Sequence, residues 1–291
     1  MINLFAHTGR ATFVSCLIAF FSIYVFTGCD PKASDSDIGD QTMVLVMSND
    51  GTENDSIAAV YPRYMSGITF TTWTIPDSVP TLSQLKEYDV VLLYEDGTFG
   101  TYSDSIGGVL HDYVMDGGNL VIGTFYWQES SDGGYEEVGW GKLETIDPII
   151  ANDGNAYYYD STGTWINHPL TRGLDTIYCH YGGGYDSVRH TANDSAHTNA
   201  TAVAWWKNGD VLMAYNKPNG RIVAVTLWPF EAIDRAGKYD GFYRAWENAL
   251  LYAAWGDTRN EKSVKVFSKA SNTQNQTPRM KRSAYSKGGS H

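Results

Sequence analysis

The chain has 291 residues, 43% of them hydrophobic, and is therefore long enough to bury a sizeable core in one large domain. Its net charge of -12 is unevenly placed, because residues 29–256 carry 12 basic and 31 acidic side chains while residues 257–291 carry eight basic and two. A body with a net charge of -19 repels a phosphate backbone, which excludes nucleic-acid binding by this part of the chain.

The amino terminus has the pattern of a secretion leader. Residues 11–26 form an apolar run that follows Arg10 and ends shortly before Cys29, which predicts a signal peptide over residues 1–28. The sequence Val-Phe-Thr-Gly-Cys29 resembles the lipobox of bacterial lipoproteins, and this implies that Cys29 is lipidated and becomes the first residue of the mature chain. The alternative is an uncleaved membrane anchor. Both place the rest of the chain in the cell envelope, outside the cytoplasm, with the membrane as a partner.

Residues 29–41 are rich in Ser, Asp and Gly and predict a flexible tether. Short apolar runs and segments of helical periodicity then alternate along the chain. The predicted elements are strands at 42–47, 68–75, 88–94 and 119–125, helices at 56–65 and 104–116, and a helical turn near 82–85. Nearly all-apolar strands separated by helices predict an α/β fold with a parallel sheet that is covered on both faces.

The second half of the predicted domain, which spans residues 42–256, is less regular. Two polar, Gly-rich segments near 128–165 and 181–199 predict insertions. Further strands are predicted at 176–180, 202–206, 211–215 and 222–227, and a helix at 242–255. The short turns between the last three strands predict an antiparallel extension of the sheet. Residues 257–291 form a basic tail that we expect to be disordered.

Several motifs in this order resemble the class I glutamine amidotransferase-like superfamily, and most of all its trehalose-utilisation-like branch. They are Tyr-Asp-Val-Val at 88–91, Gly-Gly at 117–118 before a strand, His-Pro-Leu-Thr-Arg-Gly-Leu at 168–174 and Gly-Arg-Ile-Val-Ala-Val at 220–225. The resemblance covers about residues 42–255. It implies a flavodoxin-like three-layer sandwich with a mostly parallel central sheet.

The same resemblance implies that the family's catalysis is absent. Catalytic members carry a cysteine directly after the strand that corresponds to residues 120–123, and a His-Pro-Glu motif after a late strand. Here the first position is Thr124, and the late strand is followed by Trp228-Pro-Phe-Glu231. Thiolate attack needs a thiol and a neighbouring base, so we expect no amidotransferase reaction, and the chain is interpreted as more consistent with a binding protein than with an enzyme.

Ligands of open α/β sheets bind beyond the carboxyl ends of the strands, and this rule nominates a binding rim. We define the rim as Asn49, Asp50, Glu95, Asp96, Thr124, Trp127, Trp228 and Glu231. Carboxylates beside aromatic rings suit a carbohydrate, which is hydrogen-bonded and stacked, and a protein ligand is a further option. The alternative function is a hydrolase that cleaves a glycan with the rim carboxylates. Glu95 and Asp96 could instead only open a turn and cap the next helix.

Other residues predict no separate chemistry. With Cys16 in the leader and Cys29 lipidated, Cys179 has no partner for a disulfide and is interpreted as a small buried apolar residue rather than a nucleophile. The histidines lack the spacing of metal ligands, so neither a metal nor another cofactor is expected. The many Tyr and Trp side chains of the two insertions either line a groove or pack the loops onto the sheet, and a purely structural scaffold is a third hypothesis.

Overall fold

The computed structural model describes residues 41–75, 78–95, 102–128, 130–131, 139–150, 157–158, 161–177, 189–190, 195–230 and 240–256. The chain divides into two compact units, residues 1–37 and 38–291, and every described residue belongs to the second. The predicted leader, the lipidation site Cys29, nearly all of the tether, Cys179 and the basic tail lie outside the described residues. Within the described part, no helix has the length and apolar character that a membrane crossing requires.

A single eight-stranded sheet organises the domain. Its strands are β1 (Thr42–Ser48), β2 (Ile68–Thr74), β3 (Val90–Leu93), β4 (Leu120–Gly123), β7 (Thr162–Trp165), β10 (Thr201–Trp206), β11 (Val211–Asn216) and β12 (Ile222–Val225). Their order is β2-β1-β3-β4-β12-β11-β10-β7. The first five are mutually parallel, whereas β11, β10 and β7 join by antiparallel pairing. The predicted mostly parallel sheet with an antiparallel extension is confirmed.

Two small antiparallel sheets accompany the main one, β5 (Ile149–Ile150) with β9 (Ser195–Ala196), and β6 (Tyr157–Tyr158) with β8 (Arg189–His190). The segment predicted as the first insertion is not wholly separate from the sheet, because its last strand, β7, forms the sheet edge beside β10. Residues 176–177 of a further predicted strand lie outside any strand, and residues 178–180 are not described.

Helices cover both faces of the sheet. They are α1 (Gly51–Val60), α2 (Leu82–Leu85), α3 (Ser103–Met115) and α4 (Asp240–Trp255). Alternate residues of β1 point to opposite faces: Val44 and Val46 pack in a core with residues of α1 and α4, and Leu45 and Met47 in a core with residues of α2 and α3. Strands buried on both sides explain the nearly all-apolar runs in the sequence, and the three-layer flavodoxin-like sandwich is confirmed.

The first helix begins five residues earlier than predicted. Asp50 was interpreted as part of a turn, but its Oδ1 accepts hydrogen bonds from the backbone N–H groups of Thr52 at 2.7 Å and Glu53 at 3.0 Å. This side chain satisfies two donors that the first turn of a helix leaves free. The α-helix ends at Val60, and a 3₁₀ turn containing Pro62 follows, because proline cannot donate the next helical hydrogen bond.

Close contact between α3 and the segment after it depends on a glycine. A Cβ atom at Gly107 would lie 1.9 Å from the carbonyl oxygen of Trp140, whose indole is fully buried. The neighbouring Gly108 on the same helix has no atom within 4 Å of its equivalent position. The two glycines therefore have opposite energetic roles, since one allows a backbone approach and the other only costs helix propensity.

We predict that Gly107→Ala lowers the free energy of unfolding by about 2 kcal/mol or more, because the added methyl overlaps a backbone atom that cannot rotate away. Gly108→Ala, the matched control, is expected to raise it by up to about 1 kcal/mol through helix propensity. Urea unfolding followed by circular dichroism measures both. Equal stability changes of the two variants would contradict the packing of α3 against Trp140.

Candidate functional site

The rim is assembled by backbone hydrogen bonds that continue the parallel pairing past the ends of the strands. The bonds run from Ile75 N–H to Ser48 O at 2.8 Å, from Tyr94 N–H to Met47 O at 3.1 Å, from Phe125 N–H to Glu95 O at 3.0 Å and from Thr124 N–H to Leu227 O at 3.2 Å. The loops after β2, β1, β3, β4 and β12 are therefore fixed side by side. In a flavodoxin-like strand order, the point between β1 and β3 is where ligands bind.

The loop after β1 is held mainly by structural hydrogen bonds. Its residue Asp50 caps α1. The hydroxyl of Ser48 donates to Asn54 Oδ1 at 2.8 Å, and Asn54 Nδ2 in turn donates to the carbonyl of Trp73 at 3.2 Å. Asn49 and Asp50 are half-buried. This part of the rim offers a rigid, partly open acidic corner.

Glu95 and Thr124 are fully buried at the centre of the rim, each with 0% exposure. Trp127 is also fully buried, but it packs edge-on against Tyr126 in the core on the α3 side of the sheet. Glu95 thus lies beside residues 124–125, and Trp127 belongs to the hydrophobic core. Asp96 and Glu231, two further carboxylates of the predicted rim, lie outside the described residues.

Two polar atoms in the centre of the rim are buried without a hydrogen-bond partner among the described residues. They are the hydroxyl oxygen of Thr124 and the indole nitrogen of Trp228. The Trp228 ring is half-buried and tilted against Phe125, with 5.8 Å between ring centroids, and against Phe230 at 5.5 Å. A buried donor that lacks an acceptor costs free energy, and a ligand oxygen would recover that cost.

Close packing under the rim holds Trp228 in place. A Cβ atom at Gly123 would lie 3.0 Å from Trp246, 3.2 Å from Pro229 and 3.3 Å from Tyr94, so these groups pack tightly around the glycine and a side chain there would have to push them aside by a few tenths of an ångström. The hydroxyl of Tyr61 donates to the carbonyl of Pro229 at 2.5 Å. Burial raises the pKa of Tyr61 well above its ordinary value, so this hydroxyl keeps its proton and the hydrogen bond persists.

A second buried polar group lies on the α3 side of the sheet, and the sequence did not point to it. Asp147 is 2% exposed; its Oδ2 accepts a hydrogen bond from the Tyr126 hydroxyl at 3.1 Å, and its Oδ1 accepts one from Ile149 N–H at 3.1 Å. The Nε2 atom of His197 lies 3.5 Å from the same Oδ1. We call these residues the Asp147 cluster.

The Asp147 cluster connects to the rim through Tyr126, which follows Phe125 directly. The Tyr126 ring stacks on Trp140 with centroids 4.7 Å apart, and the Trp140 indole N–H donates to the Tyr126 carbonyl at 2.7 Å. Burial raises the pKa of Asp147 from its ordinary value of 3.8 to about 6, although hydrogen bonds from His197, Tyr126 and Ile149 oppose the shift. The cluster therefore changes its charge close to neutral pH.

No group of three or more His, Cys, Asp or Glu side chains that could hold a metal ion occurs in the part of the chain that the structure describes. The chemistry available there consists of hydrogen-bond donors, ring faces and single buried carboxylates. Such an arrangement can hold a polar ligand with apolar faces, and it contains no thiol at the position where the superfamily places one.

No protein-family model matches the chain, and no curated protein sequence is significantly similar to it. A cytoplasmic protein from Salmonella typhimurium has the same fold, with 16% identity, a TM-score of 0.53, and coverage of 72% of this chain and 98% of that one. The structural neighbours also include a ThuA-like protein from Parabacteroides merdae, at 15% identity, coverage of 76% and 92%, and a TM-score of 0.47.

A further neighbour is a glutamine amidotransferase from Thermotoga maritima, at 12% identity, coverage of 74% of this chain and 98% of that one, and a TM-score of 0.42. At such identities a structural likeness shows the fold alone. The flavodoxin-like α/β sandwich is given by the sheet order and the helices on both faces.

The Asp147 cluster gives a prediction about pH. Because the folded-state pKa lies above the unfolded value, the folded chain holds this proton more tightly, and the contribution of Asp147 to stability is fully present below about pH 4 and lost as the pH rises to about 6. We expect wild-type protein to lose roughly 3 kcal/mol relative to Asp147→Asn across this window.

Chemical unfolding at pH 4, 5, 6 and 7 measures this difference. The control is Asp175→Asn, the same substitution at an exposed residue. Parallel profiles for Asp147→Asn and the wild type would show that Asp147 is not held protonated by its surroundings.

Proposed function

We propose that this chain is a lipid-anchored protein of the bacterial cell envelope, and that its α/β domain binds a carbohydrate at the rim without catalysing a reaction. The observation that carries the binding function is the pair of buried, unpartnered polar atoms, Thr124 Oγ1 and Trp228 Nε1, at the carboxyl ends of β4 and β12. A binding protein uses such atoms as preorganised contacts for its ligand.

The chemistry around these two atoms favours a sugar over a purely apolar molecule. Trp228 lies between Phe125 and Phe230 and presents a half-buried ring, and such rings stack on the apolar face of a pyranose. The indole N–H can only donate, and the Thr124 hydroxyl can donate or accept. A sugar hydroxyl can accept the hydrogen bond from the Trp228 indole, and it can either donate to or accept from the Thr124 hydroxyl.

The geometry supports binding more than hydrolysis. Glycan cleavage needs two carboxyl groups that face a common, solvent-reachable space. Of the four rim carboxylates, Asp50 and Glu95 are described: the Asp50 carboxylate is half-buried and caps α1, and Glu95 is fully buried. The superfamily's thiol position is occupied by Thr124, whose hydroxyl contacts no base among the described residues, so nucleophilic attack from this position is not activated.

The envelope location is proposed from the sequence. Residues 11–26 and the Val-Phe-Thr-Gly-Cys29 sequence supply the leader and the lipid attachment, and residues 30–41 supply the tether. The domain that follows carries a large negative charge, which suits a protein that stays dissolved beside a membrane rather than one that binds nucleic acid.

We predict that Thr124→Val separates binding from stability. Removal of a buried hydroxyl that has no protein partner should leave the free energy of unfolding unchanged or slightly raised, while the affinity for a glycan identified by array screening falls by roughly tenfold, the loss of one hydrogen bond. Trp228→Phe, which keeps a ring and removes the N–H, should weaken binding to a similar extent.

Isothermal titration calorimetry measures the affinities, with Trp165→Phe as the control. Trp165 is 38% exposed on β7 at the far edge of the sheet, so its replacement should leave the affinity unchanged. An array without hits, or equal affinities for wild type, Thr124→Val and Trp228→Phe, would overturn carbohydrate binding at the rim.

The anchor has its own test. We expect metabolic labelling with an alkyne fatty acid to mark the chain, and Cys29→Ala to abolish the label, because the lipid is attached to this thiol. Cys16→Ala, in the middle of the leader, is the matched control and should keep the label. A label that survives in Cys29→Ala would refute lipidation at this site.

A further inference from the structure

The end of the domain opposite the rim has an exposed apolar character. Six large hydrophobic side chains are exposed in the described part of the chain. Three of them belong to this end: Met43 at the start of β1 is 44% exposed, Met115 at the end of α3 is 43% exposed and Trp255 at the end of α4 is 48% exposed. We call Met43, Met115 and Trp255 the lower face.

Hydrogen bonds show that these side chains share one end of the domain. The Trp255 indole N–H donates to the hydroxyl of Thr42 at 3.0 Å, and Met43 N–H donates to Asp89 Oδ2 at 2.8 Å. The carbonyl of Met115 accepts from Asn219 Nδ2 at 2.6 Å, in the turn that precedes β12. These bonds tie Trp255 to the start of β1, Met43 to the segment before β3 and Met115 to the turn before β12, so all three residues lie at the amino ends of the parallel strands.

Several charged groups around the lower face are engaged within the protein. Lys86 pairs with Asp116, and Asp89 accepts the bond from Met43. Arg221 donates to the carbonyls of Ala253 at 2.7 Å and Ala254 at 2.6 Å, the last turn of α4. Lys86, Asp116, Glu87 and Lys217 are exposed near this end as well, and Met43, Met115 and Trp255 are its large exposed hydrophobic side chains.

Both ends of the domain leave from the lower face. The tether ends at residue 41, directly before Thr42, and the basic tail begins at residue 257, two residues after Trp255. Residues 30–41 can span at most roughly 40 Å, so a lipid on Cys29 would keep this face close to the bilayer. The tail has a net charge of +6, whereas the tether and the body are acidic, so the basic tail is the part of the chain that an anionic membrane attracts.

We propose that the lower face rests on the anionic lipid surface to which the chain is anchored, with Trp255, Met43 and Met115 at the level of the head groups and the basic tail bound to lipid phosphates. This inference rests on the envelope location proposed above. Tryptophan belongs to the residues that membrane proteins concentrate in that layer, because its ring is apolar and its N–H is polar. The contact would direct the rim away from the membrane, toward its ligand.

The test uses the processed chain, purified from membranes and reconstituted into vesicles of phosphatidylglycerol and phosphatidylethanolamine. Hydroxyl-radical footprinting with mass spectrometry compares these vesicles with detergent micelles. We expect Met43, Met115 and Trp255 to lose most of their labelling on the vesicles. Tyr102 and Trp165, which are 43% and 38% exposed elsewhere on the domain, are the internal controls and should be labelled equally in both.

Two variants make the test specific. Met43→Glu places a negative charge on the lower face and should restore the labelling of Met115 and Trp255 on vesicles, whereas Trp165→Glu should change nothing. Replacement of Lys281 and Arg282 by alanine removes two basic residues of the tail, each of which raises the affinity for an anionic surface by roughly fivefold, and should also restore the labelling.

Protection that is absent on vesicles, or that is shared by Trp165 and Tyr102, would overturn the proposal. Protection that depends on protein concentration and not on vesicles would assign the lower face to a second copy of the chain instead. The footprint requires no glycan, so its failure is distinct from a failure of rim binding, and loss of the fatty-acid label would identify a failure of the anchor itself.

Discussion

The parallel pairing of β4 with β12 is the interaction on which the architecture of the rim depends. Residues 120–123 pair in register with residues 222–225, about a hundred positions further along the chain. The pairing continues past the strands, where Thr124 N–H donates to the carbonyl of Leu227. A slip of one residue would turn every side chain of these strands to the opposite face, and Thr124 would no longer lie beside Trp228.

The rim combines strong structural fixation with little reactive chemistry. Backbone hydrogen bonds, the Tyr61 bond to Pro229 and the close contacts around Gly123 fix its loops. The position that a thiol occupies in catalytic members of the resembling superfamily holds a threonine. A rigid site that presents hydrogen-bond donors and ring faces suits the ligand binding that we propose, whereas nucleophilic catalysis would also need a proton acceptor beside the nucleophile.

The two ends of the parallel strands have different physical characters, and this difference organises the proposed function. At the carboxyl ends, polar atoms and rings are buried around a central point. At the amino ends, Met43 and Trp255 are exposed and both chain termini of the domain leave. Parallel strands make such a division natural, because all their carboxyl ends lie on one side and all their amino ends on the other. Anchoring and recognition are thereby kept a full strand length apart.

The sequence by itself determined the α/β class and the parallel strands, because apolar runs buried on both faces are local patterns, and the rim remains a prediction from the ends of those strands. It did not determine the start of α1 at Gly51, because Ser-Asn-Asp-Gly at 48–51 is equally typical of a turn and of a helix amino terminus. Nor did it show that Trp127 belongs to the core, or that Tyr126, Asp147 and His197 meet. The contacts of Asp147 with Tyr126 and His197 join residues 21 and 50 positions apart, and burial, which raises the pKa of Asp147, exists only once the tertiary structure has formed.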